Sequence, residues 1–401
     1  MELLLTQGEW THRRAETLSL EAHGETRQRV SWDFTLDPDL AIEASRNRIA
    51  VPLATLRKQP LKRLDVSDAG GTALPIWGKH HNGDIATEAL VSGLSGVLGR
   101  GLSSGERAAL ENIVFAPDLD TALPYLKRIR RVLVRANRLE EGQPLLALAQ
   151  DLGENFLLVV EVPADTAGTR SLVKMQYEGD VGEGESNPPL SLLHAMRFEG
   201  AAWSSAASWH IEVHAPPGLA VRDLSAHVWD EDNEDVREIA VSPALGHTAH
   251  ITSSTTPRGA LTWAELELRP ARAGLVNQTL FGAVATFLLL VLGVVFDAQV
   301  YAAVANPDRA SAVVAVMLAV PAVLIALLSR EQEHGLVSRL LLLPRMVNLL
   351  VAIVLLTAAA ALVMGLDEEP LTWTLRSLLG VQSVLLVTAL VVQGRSVGGD
   401  P

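Results

Sequence analysis

The sequence predicts an α+β N-terminal region, part helical and part antiparallel β-sandwich-like, followed by an all-α bundle of four transmembrane helices. Three observations predict it. Four long apolar runs crowd the last third of the chain. Helical periodicity dominates the stretch from Asp84 to Leu139. Short alternating segments bounded by turn residues dominate between Gly142 and Pro270. The boundaries that follow are residues 1–142 for an α+β domain, 143–270 for a β-rich domain and 271–401 for the spans.

The apolar runs are Thr279 to Phe296, Ala310 to Leu328, Met346 to Leu366 and Ser377 to Val392. A bilayer core of about 30 Å needs roughly 20 apolar residues in a helix. A helix on a soluble protein carries a polar stripe along one side, and these runs carry none. Pro321 inside the second run reads as a kink whose freed carbonyl neighbouring helices can satisfy. Small residues such as Gly282, Ala285, Gly293 and Ala358 to Ala361 permit close helix approach, within the chain or between copies in a homo-oligomer. The few polar groups inside the runs, among them Thr286, Asn348 and Gln382, read as helix–helix hydrogen bonds.

Basic residues set the orientation. Arg269 and Arg272 precede the first run, Arg330, Arg339 and Arg345 lie between the second and third, and Arg395 follows the fourth. The remaining loops hold only Arg309 and Arg376, the latter led by Asp367, Glu368 and Glu369. Both termini are therefore expected in the cytoplasm. The start MELLLTQGEW has no basic region, apolar core or cleavage site of a signal peptide. Arginine outnumbers lysine, and Ala, Leu and Val dominate, as in proteins from GC-rich bacteria. The expected location is a bacterial inner membrane.

The formal charge of −13 argues against nonspecific nucleic-acid binding, though a local basic patch could still act, and no specific nucleic-acid binding is expected. The absence of cysteine excludes disulfides, thiol nucleophiles and cysteine-ligated metals.

Along the soluble part, Val30, Trp32, Phe34 and Leu36 alternate with polar residues, a half-buried strand. Leu64 to Ile76 reads as a hairpin turning at Gly70-Gly71. A helix is expected from Asp84 as N-cap, with His80-His81 in the loop before it. A second begins near Ser103, where Glu106 completes a capping box, and a third covers Thr121 to Leu139. Asn155 to Val162 and Ser171 to Tyr177 read as a hairpin. Strands follow at Trp209 to Ala215, Leu219 to Val228, His247 to Ser253 and Leu261 to Leu268. The last enters the first apolar run within a few residues.

Two residue groups carry candidate chemistry. At 100° per residue, Lys127, Arg128, Arg131, Arg135 and Arg138 share one quadrant of the third helix, with Arg130 beside it and Leu126, Ile129 and Leu133 opposite. Such a face suits anionic lipid headgroups, at about 1 kcal/mol per basic residue near the surface, or a phosphate-bearing ligand. His210, Glu212 and His214 fall on one face of a strand, a partial metal-ligand set. Alternate strand side chains stand about 7 Å apart, too far to converge easily on one ion.

Other motifs fail on context. LSSGER, Leu102 to Arg107, resembles the signature segment of ABC-type ATPases, but no GxxxxGK[ST] loop accompanies it. The acidic run Asp230 to Asp235 lacks the glycine and terminal glutamate of a calcium loop. No GxSxG elbow or dinucleotide fingerprint is present. No cofactor is expected. The leading expectation is a non-enzymatic, membrane-anchored sensing or binding protein. The alternatives are a pore-forming effector gated by the soluble domain and a metal-dependent membrane-tethered enzyme.

Overall fold

The structure, a computed structural model, describes residues 7–20, 26–45, 47–179, 191–199, 206–230, 235–243, 246–254, 262–304, 335–364 and 366–397, with the single position 315. It comprises an N-terminal β-rich region with helices and a C-terminal helical region. Three of its helices are long and apolar enough to cross a membrane: Arg272–Val295, Leu342–Val363 and Glu368–Arg395. They match three of the four predicted runs. The run Ala310 to Leu328 lies outside the described residues, as do positions 231–234 of the acidic run.

Thirteen strands are described: β1 (Thr11–Leu20), β2 (Thr26–Thr35), β3 (Ile42–Glu43), β4 (Arg48–Arg57), β5 (Lys62–Asp68), β6 (Asn155–Pro163), β7 (Arg170–Gly179), β8 (His194–Glu199), β9 (Ser208–His214), β10 (Leu219–Asp230), β11 (Asp235–Pro243), β12 (Thr248–Ser253) and β13 (Thr262–Pro270). They form a six-stranded sheet in the order β12-β9-β1-β2-β7-β5, a four-stranded sheet β11-β10-β13-β8 and a three-stranded sheet β3-β4-β6. β1 and β9 pair in parallel, so the β region is not purely antiparallel as expected.

The long sheet is shared by two sandwiches. Leu18, Trp209, Ile211 and Val213 of its β1–β9 side pack with Leu224, Leu266 and Leu268 of the four-stranded sheet. Val30, Trp32, Phe34 and Met175 of its β2–β7 side pack with Val51, Leu53 and Val160 of the three-stranded sheet. The cross-strand partners of Arg14, Glu16 and Leu18 are Trp32, Val30 and Gln28, so both cores lie on one face. Because β7 and β9 join β2 and β1, the sheets draw strands from both sides of residue 142. No division at that residue separates them.

The expected hairpin of β6 with β7 does not form. β6 pairs with β4, and β7 with β2 and β5. The chain crosses from one sheet to the other through the single turn Ala164–Thr166. The reason is burial on two faces. Leu158 and Val160 face the sandwich, while Leu157 and Val159 face the helices. A strand covered on both sides reads as a continuous apolar run and announces no partner.

Four helices cover the outer face of β4–β6: α1 (Lys79–Leu98), α2 (Ser104–Phe115), α3 (Leu119–Arg135) and α4 (Gln143–Glu154). α1 begins five residues before the expected Asp84, with Gly78 as N-cap. His80 and His81 therefore lie in its first turn, their rings against Phe115 and Trp77 at 6.2 and 5.3 Å. α2 has the expected capping box: the Ser103 side chain accepts from the Glu106 amide while the Glu106 side chain accepts from the Ser103 amide. The Arg100 guanidinium, hydrogen-bonded to the same carboxylate, holds Glu106 down to about 2.

The membrane-type region follows without a linker. After Pro270 comes a short kinked segment, Arg272–Val276, where the backbone of Ala273 and Gly274 is non-helical (Gly274 at φ 98°), and then α5 (Asn277–Val295). α6 (Asp297–Val304), α7 (Gly335–Leu340), α8 (Leu342–Val363) and α9 (Glu368–Val397) complete the described helices. Ala283, Leu290, Val351, Ala358, Leu375 and Ala389 form the core of the bundle. Outward-facing positions stay apolar, with Phe281 77 % and Val384 65 % exposed. Water would make such a surface aggregate, whereas lipid solvates it. α7 does not belong to the bundle core: Val337, Leu340 and Leu341 pack into the first sandwich. A Cβ at Gly218 (φ 91°) would stand 3.5 Å from Leu341 Cδ1, and the Gly218 carbonyl accepts from the Ala271 amide. The β region is thus clamped to the helices at the β13–α5 junction, through α7, and where Leu192 packs with Val276 and Val392.

Candidate functional site

α3 is shaped by its two ends. The Asp118 side chain caps its first turn by accepting from the Thr121 amide at 2.8 Å; the Thr121 hydroxyl and then this amide hold the carboxyl below its ordinary range. Ala136 ends the helix and Asn137 turns into the left-handed region at φ 54°. Asparagine tolerates that conformation better than most residues. The expected extension to Leu139 is therefore cut short, and Arg138 leaves the helical face. Its guanidinium pairs with Glu141 at 2.5 Å.

The remaining face holds as predicted. Ala122, Leu126, Ile129 and Leu133 are buried against the helical layer. Lys127, Arg128, Arg130, Arg131 and Arg135 are exposed. Among the described residues none of these five makes an ion pair; Arg131 instead donates to the Lys127 carbonyl at 3.3 Å. Arg128 leans over the start of α2, where a Cβ at Gly105 would meet its Nη2 at 2.6 Å. The partial positive charge of that helix terminus adds to the field of the arginines.

α3 belongs to the core formed by α1, α2, α4 and the outer face of β4–β6. The apolar helices form a separate core and join the β region at β13 and through α7. The basic face is thus built on a core separate from that of the apolar helices.

His210, Glu212 and His214 project from the uncovered face of the six-stranded sheet, as alternation requires. His214 Nε2 lies 3.5 Å from Glu212 Oε1, and His214 Nδ1 is 3.2 Å from Thr248 Oγ1. His210 turns elsewhere and stacks on His250, centroids 5.7 Å apart and planes 20° inclined. Among the described residues no group of three or more His, Asp or Glu side chains is placed to hold a metal ion. Glu212 and His214 are neighbours but His210 is turned to His250, so the three do not converge, and the metal reading is not carried forward.

His250 is the residue the sequence did not single out. It sits outward between Ala249 and Ile251, but only the register of β12 on β9, which places it opposite Glu212, brings it to His210. Burial, then the nearby charges of Arg13 and His250, push the His210 imidazole below its ordinary value. The unfolded chain therefore binds this proton more readily than the fold does. The associated stability is complete above about pH 6.5 and is lost as the pH falls toward the depressed folded value. The denaturation midpoint of the full chain in detergent, followed by tryptophan fluorescence, should fall between pH 7 and 5, and less steeply in His210→Gln. Equal slopes in the two proteins would remove His210 as the cause.

A groove of about 550 Å³ opens at the end of the second sandwich, lined in part by Asp33, Asp68, Leu74, Val162 and Arg170. Its carboxylates are committed. Asp33 accepts from Arg170 at 2.8 and 2.5 Å, which holds it below the usual carboxylate range. Asp68 accepts from the Thr72 amide in the turn at Gly70-Gly71, with the same effect. No protein-family model matches the chain, and no curated protein matches it.

Proposed function

We propose that the chain is a non-enzymatic, multi-pass membrane protein whose cytoplasmic β-rich region binds an anionic, phosphate-bearing partner through α3. The observation that carries this reading is the row Lys127, Arg128, Arg130, Arg131 and Arg135, exposed and without ion pairs among the described residues of an acidic chain. Cations left uncompensated on a rigid helix set up a local field that draws polyanions.

The orientation has its own support. Asn348 donates to Thr279 and Gln393 to Asn277, so α5 and α8 start, and α9 ends, at one end of the bundle. Arg272, Arg345 and Arg395 gather there, while Asp297, Asp367, Glu368 and Glu369 mark the other end. Basic residues favour the cytoplasmic side. The β region attaches at the basic end and would share that side. This topology needs an even number of crossings, and the apolar run Ala310 to Leu328 is the sequence's candidate for the remaining one.

The test uses the full chain in nanodiscs of neutral lipid. Inorganic polyphosphate and anionic vesicles serve as separate probes, one for a soluble phosphate source and one for a lipid surface. At about 1 kcal/mol per basic residue, Arg128→Glu/Arg131→Glu/Arg135→Glu should weaken binding of at least one probe by about 100-fold. Binding of both probes unchanged by the triple substitution would reject the reading.

A further inference from the structure

α9 carries a charge where a membrane span normally has none. The span Glu368–Arg395 is 28 residues long, about 42 Å of helix, which matches a bilayer together with its headgroup layers. Arg376 stands about 12 Å from the Glu368 end. With a hydrocarbon core of about 30 Å centred on the helix, that is about 6 Å below the boundary. Arg376 is exposed and makes no ion pair among the described residues. A cation facing lipid at this depth is costly unless it reaches the interface or meets an anion.

Helical side chains lean toward the N-terminus, here the Glu368 end. The arginine stem can therefore lie along apolar surface with its guanidinium raised toward the interface. At that end Glu368, Glu369, Thr372, Trp373 and Arg376 line a groove of about 320 Å³. The Thr372 hydroxyl donates to Asp297 Oδ2 at 3.4 Å, which leaves the charged groups and the indole to meet a ligand.

The groove faces outward from the bundle. At 100° per residue, Glu369, Trp373, Arg376, Gly380 and Val384 share one arc of about 80°, and all five are exposed. Leu371, Leu375, Gln382 and Ala389, all buried, lie opposite. Trp373 is 62 % exposed, as suits a tryptophan at headgroup level. A Cβ at Gly380 would meet nothing within 4 Å. A shallow apolar track therefore continues from Arg376 to Val384, near mid-span.

From mid-membrane toward water the order is apolar track, guanidinium, indole, carboxylates. A phospholipid with an amine in its headgroup presents acyl chain, phosphate and ammonium in the same order. Guanidinium matches phosphate in charge and in its forked donors. The carboxylates can accept from a primary ammonium, find no donor on a quaternary one, and repel a headgroup of net negative charge. We propose that this groove binds a phospholipid with a primary-amine headgroup, its phosphate on Arg376 and its ammonium on Glu368 and Glu369. The inference rests on α9 lying in a bilayer and not on the partner assigned to α3.

The full chain, purified in detergent and stripped of lipid, is titrated separately with phosphatidylethanolamine, phosphatidylcholine and phosphatidylglycerol, and bound lipid is counted by native mass spectrometry. Phosphatidylethanolamine should bind about tenfold tighter than the other two, as one charge-assisted contact allows. Arg376→Gln should weaken it about tenfold, and Glu368→Gln/Glu369→Gln should erase the preference. Equal affinity of the native chain for the three lipids, or phosphatidylethanolamine binding unchanged in Arg376→Gln, would overturn the proposal. If Arg376→Gln does not assemble, the double glutamate variant decides, and a preference it retains would overturn the proposal. A chain that stays in carbonate-washed membranes yet binds none of the lipids would overturn the groove alone. Release into the carbonate supernatant would overturn the span on which the groove rests.

Discussion

Replacing Trp32 with alanine is expected to lower the unfolding free energy of the β region by about 4 kcal/mol, within the range for large aromatic truncations in cores. The indole is fully buried at the centre of the second sandwich. The Arg14 guanidinium lies 5.5 Å from its ring centroid, and Trp10 meets the neighbouring Phe34 edge-on at 5.6 Å. Truncation opens a cavity where the long sheet passes from one sandwich to the other, and it removes the aromatic face that holds Arg14. Trp32→Phe keeps most of the volume and should cost about 1–2 kcal/mol. Denaturant midpoints of the full chain in detergent, with an unchanged slope, would measure both. A loss below 1 kcal/mol for the alanine variant would show that the two sandwiches are loosely coupled.

Lys58→Met is the second large effect, about 3 kcal/mol. The Lys58 ammonium donates to the carbonyls of Val114 and Leu152 at 2.8 Å and of Gly153 at 3.0 Å. These are among the last carbonyls of α2 and α4, which have no partner within their own helices. One charged side chain after β4 therefore ties two helix ends to the sheet. Burial, then the charge of Lys79, push its pKa down to about 8, so the group remains protonated and able to serve three acceptors at pH 7. Methionine preserves the aliphatic stem and leaves three carbonyls with only the water that can reach a half-buried site. Hydrogen exchange should show α2 and α4 losing protection before β4 and β6. Uniform loss across all four elements, or no loss, would contradict the clamp.

What the sequence discloses depends on whether a signal is local. The capping box at Ser103, the alternation of Val30 to Leu36 and the buried side of α3 are fixed by residues a few positions apart, and each stands where expected. The partners of β6 and β7 are set about 100 residues or more away, and β6, apolar on both faces, carries no phase from which to choose them. The parallel β1–β9 pair and the meeting of His210 with His250 are long-range for the same reason. α1 starts early because Lys79, His80 and His81 read as loop, whereas tertiary contacts with Phe115 and Trp77 hold the histidines as a first turn. Arg138 was lost from the basic face by a single left-handed residue, Asn137, one position after the helix cap. The buried polar groups of the bundle, Thr286, Asn348 and Gln382, are visible in the sequence as isolated residues. Only packing shows that one oxygen of each lacks a partner among the described residues.

The central claim is that Arg272–Val295, Leu342–Val363 and Glu368–Arg395 lie in a bilayer and carry the β-rich region with them. Extraction of membranes from expressing cells with alkaline carbonate tests it most directly. The account predicts that the intact chain stays in the pellet and is released only by detergent. Recovery of the full-length protein in the carbonate supernatant would contradict it.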